Sequence, residues 1–241
     1  MVERKYISSI FLNQEVDRRS YLYNLPIVRH LMQNAEIPFT NDITFFVGEN
    51  GTGKSTLLEA IAVAYGFNAE GGSKNFNFST SSTHSDLYKY LTISRSSIAK
   101  DGFFLRAESF YNFATNVDDL ELFSSYGGKS LHEQSHGESF LALVQNRFEG
   151  NGIYILDEPE AALSPSRLLT LMAEINILIK KNSQFIIATH SPILMAFPNS
   201  QIYQLTESNI KLVPYQETEH YQLSKLFLDN PDQILRHLFN E

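Results

Sequence analysis

Residues 48–56 read Gly48-Glu49-Asn50-Gly51-Thr52-Gly53-Lys54-Ser55-Thr56, which is the spacing G-x-x-x-x-G-K-[ST]. The run before it, Asp42-Ile43-Thr44-Phe45-Phe46-Val47, is rich in β-branched and aromatic residues and predicts a buried strand. The run after it, 56–64, predicts a helix. A strand, a glycine-rich turn and a helix N-terminus together make a phosphate cradle. Gly48, Gly51 and Gly53 let the backbone turn so that successive N–H groups face an anion, and the helix dipole adds positive potential. In such a loop the Lys54 ammonium reaches the β- and γ-phosphates of a nucleoside triphosphate, and the Ser55 hydroxyl ligates Mg²⁺.

Two further apolar runs end in chemistry. Residues 153–159 read IYILDEP, a strand with Asp157 at its tip to hold the Mg²⁺ shell and Glu158 placed to polarise an attacking water. Residues 184–189 read QFIIAT, a strand ending at His190, whose imidazole can bond a γ-phosphate and the water. Between the loop and the carboxylates, residues 134–139 read QSHGES ahead of a helix expected from Glu138 to Phe148. Ser135 and the Gly137 amide form a second anion-binding helix start with no triphosphate of its own.

This order of parts resembles the ATP-binding-cassette ATPases from Asp42 to Pro192. QSHGE stands where that family has its signature, DEPEAALSP matches the carboxylate strand and following loop, and ATHSP matches the switch histidine. The resemblance implies an α/β fold: a P-loop NTPase sheet flanked by helices, with a small helical ABC-type subdomain. It also implies a head-to-tail homodimer on ATP binding. Residues 48–56 of one protomer would face Ser135, His136, Gly137 and Glu138 of the other, with ATP and Mg²⁺ between them. The wording DEPE-x-x-LSP and THSP is similar to the soluble branch, which includes RecF-like and SMC-like ATPases and the overcoming-lysogenisation-defect nucleases. The phrases YNLPIVRHL and DGFFLRAESF look most like small stand-alone bacterial ATPases of that branch.

The chain departs from the family at defined places. Gln134, His136 and Glu138 replace the signature's Leu, Gly and Gln, while the serine and second glycine remain. Ser164 stands where transporters carry an aspartate. No glutamine occurs between Lys54 and Gln134, where the family has a Mg²⁺ and water contact. The strand-like segment 102–109 offers Arg106, Glu108 or Ser109 instead, with Glu108 the candidate oxygen ligand for the metal. Tyr21 and Tyr23 are candidates to stack on adenine.

The 241 residues, 43% of them hydrophobic, suffice for one ABC-type ATPase domain over 1–241, with 87–150 holding the inserted subdomain and signature helix. There is no cysteine, hence no disulfide framework, and the first residues lack the apolar core of a secretion signal. A cytoplasmic location is expected, and no apolar run is long enough to span a membrane. The net charge of −8 gives no general attraction for nucleic acid, so binding there would need a local patch or a partner. Strands are expected at Tyr6–Leu12, Leu87–Ser94, Gln201–Leu205 and Ile210–Tyr215. Helices are expected at 27–33, Phe110–Phe123, Arg167–Lys181, Gln222–Leu228 and Pro231–Phe239, with a long polar loop over 68–86. His132 and His136, four apart, could pair on a metal if helical.

Other functions share some of these parts. A P-loop small-molecule kinase needs the loop but not the DE pair, His190 and QSHGES together. A transporter's soluble ATPase subunit shares all of them but carries the glutamine missing here. A hydrolase using Ser191 or Ser135 with His190 lacks a nucleophile elbow. The reading preferred is ATP hydrolysis driving a dimerisation switch, with an unknown protein partner or effector and a role in defence or DNA maintenance.

Overall fold

The computed structural model describes residues 5–33, 36–73, 85–119, 130, 132 and 135–239. At its centre is a six-stranded sheet built from β3 (Ile43–Gly48), β5 (Asp101–Arg106), β6 (Gly152–Asp157), β7 (Gln184–Ala188), β8 (Gln201–Leu205) and β9 (Ile210–Leu212). The spatial order is β5-β6-β7-β3-β8-β9, and all neighbours run parallel except β9, which turns back on β8. Both faces of the sheet are covered, so its strands read as unbroken apolar runs. Alternate residues face alternate layers. In β6, Ile153 and Ile155 enter one core cluster and Tyr154 and Leu156 the other, and in β7 Ile186 and Ala188 oppose Phe185 and Ile187.

One layer holds α2 (Lys54–Tyr65), α1 (Pro26–Gln33) and a three-stranded antiparallel sheet ordered β2-β1-β4, from Ile37–Pro38, Ser9–Leu12 and Leu91–Ser94. The other holds α3 (Phe110–Asp119), α4 (His136–Arg147) and α5 (Pro165–Lys180). In α5 the buried Leu168, Leu171, Ile175 and Leu178 recur at helical spacing, and Ser164 with Pro165 starts the helix. Phe110, Phe113 and Val117 of α3 share the core with Phe140, Leu143 and Val144 of α4. The chain ends in α6 (Pro192–Met195), α7 (Glu219–Asp229) and α8 (Pro231–Phe239).

Two buried glutamines stitch the small sheet's segment to the central one. Gln184 accepts from the Ile7 N–H at 2.9 Å and donates to the Ile7 carbonyl at 2.8 Å. Gln201 accepts from the Thr40 N–H and donates to the Pro38 carbonyl. Each amide side chain replaces a missing strand neighbour and satisfies backbone groups that burial would otherwise strand.

Several expected elements differ in extent. The first strand begins at Ser9 rather than Tyr6, because Gln184 takes the Ile7 backbone. Residues 87–90 do not extend β4; a 3-10 turn at Asp86–Lys89 starts where the Ser85 hydroxyl accepts from the Leu87 N–H. The signature helix starts at His136, not Glu138, and ends at Arg147. β9 stops at Leu212, and α7 extends beyond 222–228 at both ends. Within the expected loop 68–86, Gly72 bridges Phe104 and Ser85 leads into the turn; residues 74–84 lie outside the described residues, as do 120–123 of the expected helix and Gln134.

Candidate functional site

Parallel strands leave their carboxyl ends on one edge, where ligands of such sheets bind. The register sets Asp157 level with Ala188 and Ala188 level with Phe46, so the tips of β6, β7 and β3 emerge side by side. The Glu158 N–H bonds the Ala188 carbonyl and the Thr189 N–H bonds the Phe46 carbonyl, which continues this alignment past the strands.

At β3 the loop turns as its glycines require. Gly53, at φ +95°, caps α2, and a Cβ there would come within 2.9 Å of Ile27 Cγ2. Gly48 lies at φ +143°, and a Cβ there would sit 2.2 Å from the Leu205 carbonyl oxygen. The Lys54 ammonium donates to the Gly48 and Glu49 carbonyls at 2.8 and 3.0 Å. Burial pulls its pKa down, against the pull of Glu158, Asp157 and other carboxylates. Thr52 donates to the Glu49 carbonyl at 2.9 Å and closes the turn. Asn50, Gly51, Gly53, Lys54, Ser55 and Thr56 line a cleft of about 260 Å³ together with Glu158 and Leu25.

The Ser55 hydroxyl donates to Asp157 Oδ1 at 3.0 Å. Asp157 is 4% exposed, and burial raises its pKa to about 6, opposed by Arg106 and the Ser55 bond. A hydroxyl and a buried carboxylate on adjacent strand tips are hard oxygen donors of the kind Mg²⁺ takes when phosphates and water fill its other positions, so the residues fit that ion. Arg106 ends β5 with its guanidinium forked among carboxylates. It reaches Glu59 Oε2 at 3.0 Å, Glu108 Oε2 at 3.3 Å and Asp157 Oδ2 at 3.4 Å. Of the three residues offered for the missing glutamine, Arg106 touches the metal-side aspartate. Glu108 lies on the rim, mostly exposed and tied to Arg106, and the Ser109 hydroxyl turns away to the Glu70 carbonyl.

Glu158 adopts φ +51°, ψ +53°, a left-handed conformation that costs a non-glycine residue about 1 kcal/mol. The turn aims its carboxylate into the cleft, 3.4 Å from His190 Nε2. His190 is held from two further sides. Its N–H donates to Glu160 Oε1, and its Nδ1 lies 3.0 Å from Nε2 of His220 at the start of α7. Burial raises the Glu160 pKa. Neither Glu160 nor His220 is recognisable in the sequence as part of the site; Glu160 falls within DEPE, but its backbone contact needs the fold.

The signature segment occupies the start of α4. Glu138 Oε2 accepts from both the Ser135 N–H and the Ser135 hydroxyl, at 3.0 and 2.7 Å. Those bonds, led by the hydroxyl's, lower the Glu138 pKa. Arg167 donates to the Ser135 Oγ at 3.1 Å and to Glu138 Oε1 at 2.9 Å. A Cβ on Gly137 would meet Arg167 Nη1 at 2.5 Å. His136 lines a second cleft, of about 420 Å³, with Ser55, Arg106, Glu108, Asp157 and Glu158 of its own chain. His132 pairs with the Thr115 hydroxyl at 3.0 Å, and the described residues contain no cluster of His, Asp and Glu that would hold a metal by itself. Tyr21 is exposed, and Tyr23 packs against the core; Leu25 is the residue of that turn that reaches the phosphate loop. Roomier grooves of about 590 Å³ beside β1 and about 750 Å³ at the α7–α8 junction are lined by neither the glycine loop nor the carboxylates at the strand tips.

The sequence pattern of the family described as AAA domain matches residues 19–186. No curated protein matches the chain. Among solved structures, cbiO1 from Clostridium perfringens, part of the ABC transporter complex cbiONQ, is 16% identical with a TM-score of 0.52, over 98% of this chain and 100% of that one. A protein described as a metal-chelate type ABC transporter, in an inward-facing conformation, is 14% identical with a TM-score of 0.51, over 92% and 89%. The SMC head domain from Thermotoga maritima is 15% identical with a TM-score of 0.45, over 87% and 99%. The fold is that of the P-loop ATPases of ABC type, and no described helix is long and apolar enough to cross a membrane.

Proposed function

Because the chain belongs to the AAA-domain family, we propose that it hydrolyses ATP and that the nucleotide acts as a dimerisation switch. The convergence of Lys54, Ser55, Asp157, Glu158 and His190 at three adjacent strand tips is the observation that carries this reading. The loop amides and Lys54 bind the β- and γ-phosphates. Ser55 and Asp157 hold the Mg²⁺, which neutralises phosphate charge when bound, with Glu108 the candidate further ligand. Glu158 accepts a proton as the oxygen of a water attacks the γ-phosphorus. The bond from that phosphorus to the β-phosphate oxygen breaks, and ADP and inorganic phosphate are released. His190 donates to the γ-phosphoryl oxygens as charge builds on them.

Ser135, His136, Gly137 and Glu138 serve the site of a second copy, and the whole chain acts as one ATPase domain with α3 and α4 as its helical part. Ser135 is exposed at a helix start and has a fixed neighbour in Arg167, which supports an outward phosphate contact on closure. The likeness to RecF-like and SMC-like proteins in the DEPE and THSP wording supports a role for the switch in a cytoplasmic defence or DNA-maintenance complex, with a protein effector reading the closed state. That last step is fold-level analogy.

Glu158→Gln tests the reading. It should bind ATP like the wild type, lower kcat by roughly 100-fold or more, and hold the ATP-bound protein as a dimer in light scattering. Full turnover by Glu158→Gln would refute it.

A further inference from the structure

His220 lies in α7, beyond the last strand of the central sheet, yet its ring lies on the imidazole that faces Glu158. The contact is His190 Nδ1 to His220 Nε2 at 3.0 Å, with the ring centroids 5.2 Å apart. His220 is held there by the start of α7. Thr218, fully buried, caps that helix by accepting from the Tyr221 N–H and donates to the Tyr215 carbonyl at 2.8 Å. The Glu219 N–H donates to the Gln204 side chain of β8, which pins the same turn to the central sheet. Tyr215 and Tyr221 pack edge to face around it at 4.7 Å.

Resting on the hydrolase reading above, we propose that His220 is a positioning residue for the reaction: its Nε2–H donates to His190 Nδ1 and so fixes His190 as the tautomer that carries its proton on Nε2, pointing into the cleft. The two outer ring nitrogens, His190 Nε2 and His220 Nδ1, are both buried without a hydrogen-bond partner, so either arrangement leaves one buried proton unbonded. The Glu158 carboxylate separates them. With His220 as donor, the proton on His190 Nε2 faces Glu158 Oε1 at 3.4 Å, and His220 Nδ1 is an acceptor only. With His190 Nδ1 as donor, a bare Nε2 lone pair would face that carboxylate, and the proton on His220 Nδ1 would have no negative group beside it.

The groups around His220 keep it neutral enough to play this part. Burial lowers its pKa first and the His190 ring lowers it further, with Lys54 acting in the same direction against Glu49 and Glu219. Its place in the first turn of α7 adds positive helix potential, which also disfavours a second proton.

The ring protons can be read directly by long-range ¹H–¹⁵N spectra of the full-length, nucleotide-free protein. The expected result is Nε2–H on both His190 and His220; a His190 ring protonated on Nδ1 alone overturns the proposal. Kinetics then separate positioning from packing. His220→Leu should lower kcat roughly tenfold, less than the loss of a proton donor itself, with KM within about twofold because His190 acts on charge that develops during reaction. His220→Gln, whose amide N–H can occupy the Nε2 position, should keep most of the activity at an unchanged melting temperature. In a His190→Ala background, His220→Leu should have no further effect. A His220→Leu defect that Gln does not rescue, or that persists in full without His190, overturns the proposal. A wild-type chain that shows the Nε2–H ring of His190 but no ATP turnover refutes the hydrolase reading and not the pairing.

Discussion

Replacing Asp157 by Asn should stabilise the metal-free fold while weakening its use of Mg²⁺. Asp157 is buried at the tip of β6, and burial raises its pKa from 3.8 to about 6 despite Arg106 and the Ser55 hydroxyl. A raised carboxyl pKa means that the fold disfavours the charged form. The penalty is absent below 3.8, develops as pH rises toward 6, and is full above that. The displacement corresponds to about 3 kcal/mol at neutral pH and about half of that at pH 5. Asparagine keeps an oxygen for Ser55, and the lost attraction to Arg106 is already counted in the displacement, but the new side-chain NH₂ would face the Arg106 guanidinium as a buried donor without an acceptor, which costs about 1–2 kcal/mol. The net gain should therefore be about 1–2 kcal/mol, which raises the melting temperature of a chain this size by about 2–8 °C. Thermal unfolding in a chelator at pH 7.5 and at pH 5 measures both the gain and its decline. Adding Mg²⁺ and ATP should then narrow or reverse the gap, because the wild type, which keeps the metal-side carboxylate, gains more stability by binding than the variant. A variant that melts below the wild type in chelator at pH 7.5, or a gap that does not shrink at pH 5, would refute the reasoning.

Other substitutions probe separate parts. Lys54→Ala removes charge-assisted phosphate contacts of about 3 kcal/mol and should weaken ATP binding about 100-fold by calorimetry. Ser135→Arg should be inactive alone, yet mixing it with Lys54→Ala should restore turnover at one of the two composite sites of each mixed dimer; a fully active Ser135→Arg chain would remove the case for a site shared between copies. Gly48→Ala drives a Cβ into the Leu205 carbonyl oxygen and should destabilise the fold by about 3 kcal/mol in denaturant titration.

The phosphate loop, the DE pair, the histidine at a strand tip and the run of elements from β3 to α5 were legible in the sequence. Their causes are local. Apolar runs buried on both faces make strands wherever they fall, and a glycine loop before a helix start turns in the same way in any sheet. The ABC-type fold was legible in another way, as what the resemblance of those parts, in that order, to the ATP-binding-cassette ATPases implies.

What tertiary structure alone decided is which distant groups meet them. Arg106 reaches Glu59 and Asp157 only because β5 lies beside β6 with α2 packed over them. Gln184 stands in for a strand beside Ile7, 177 residues away. Gly48 turns out to be needed for the close approach of β8 as well as for the loop. His220 carries no motif; a helix beyond the last matched segment sets it against His190. A side chain's own sequence encodes its chemistry and local conformation, but its partner is chosen by the strand order and helix packing that bury them together, and no spacing along the chain records that choice.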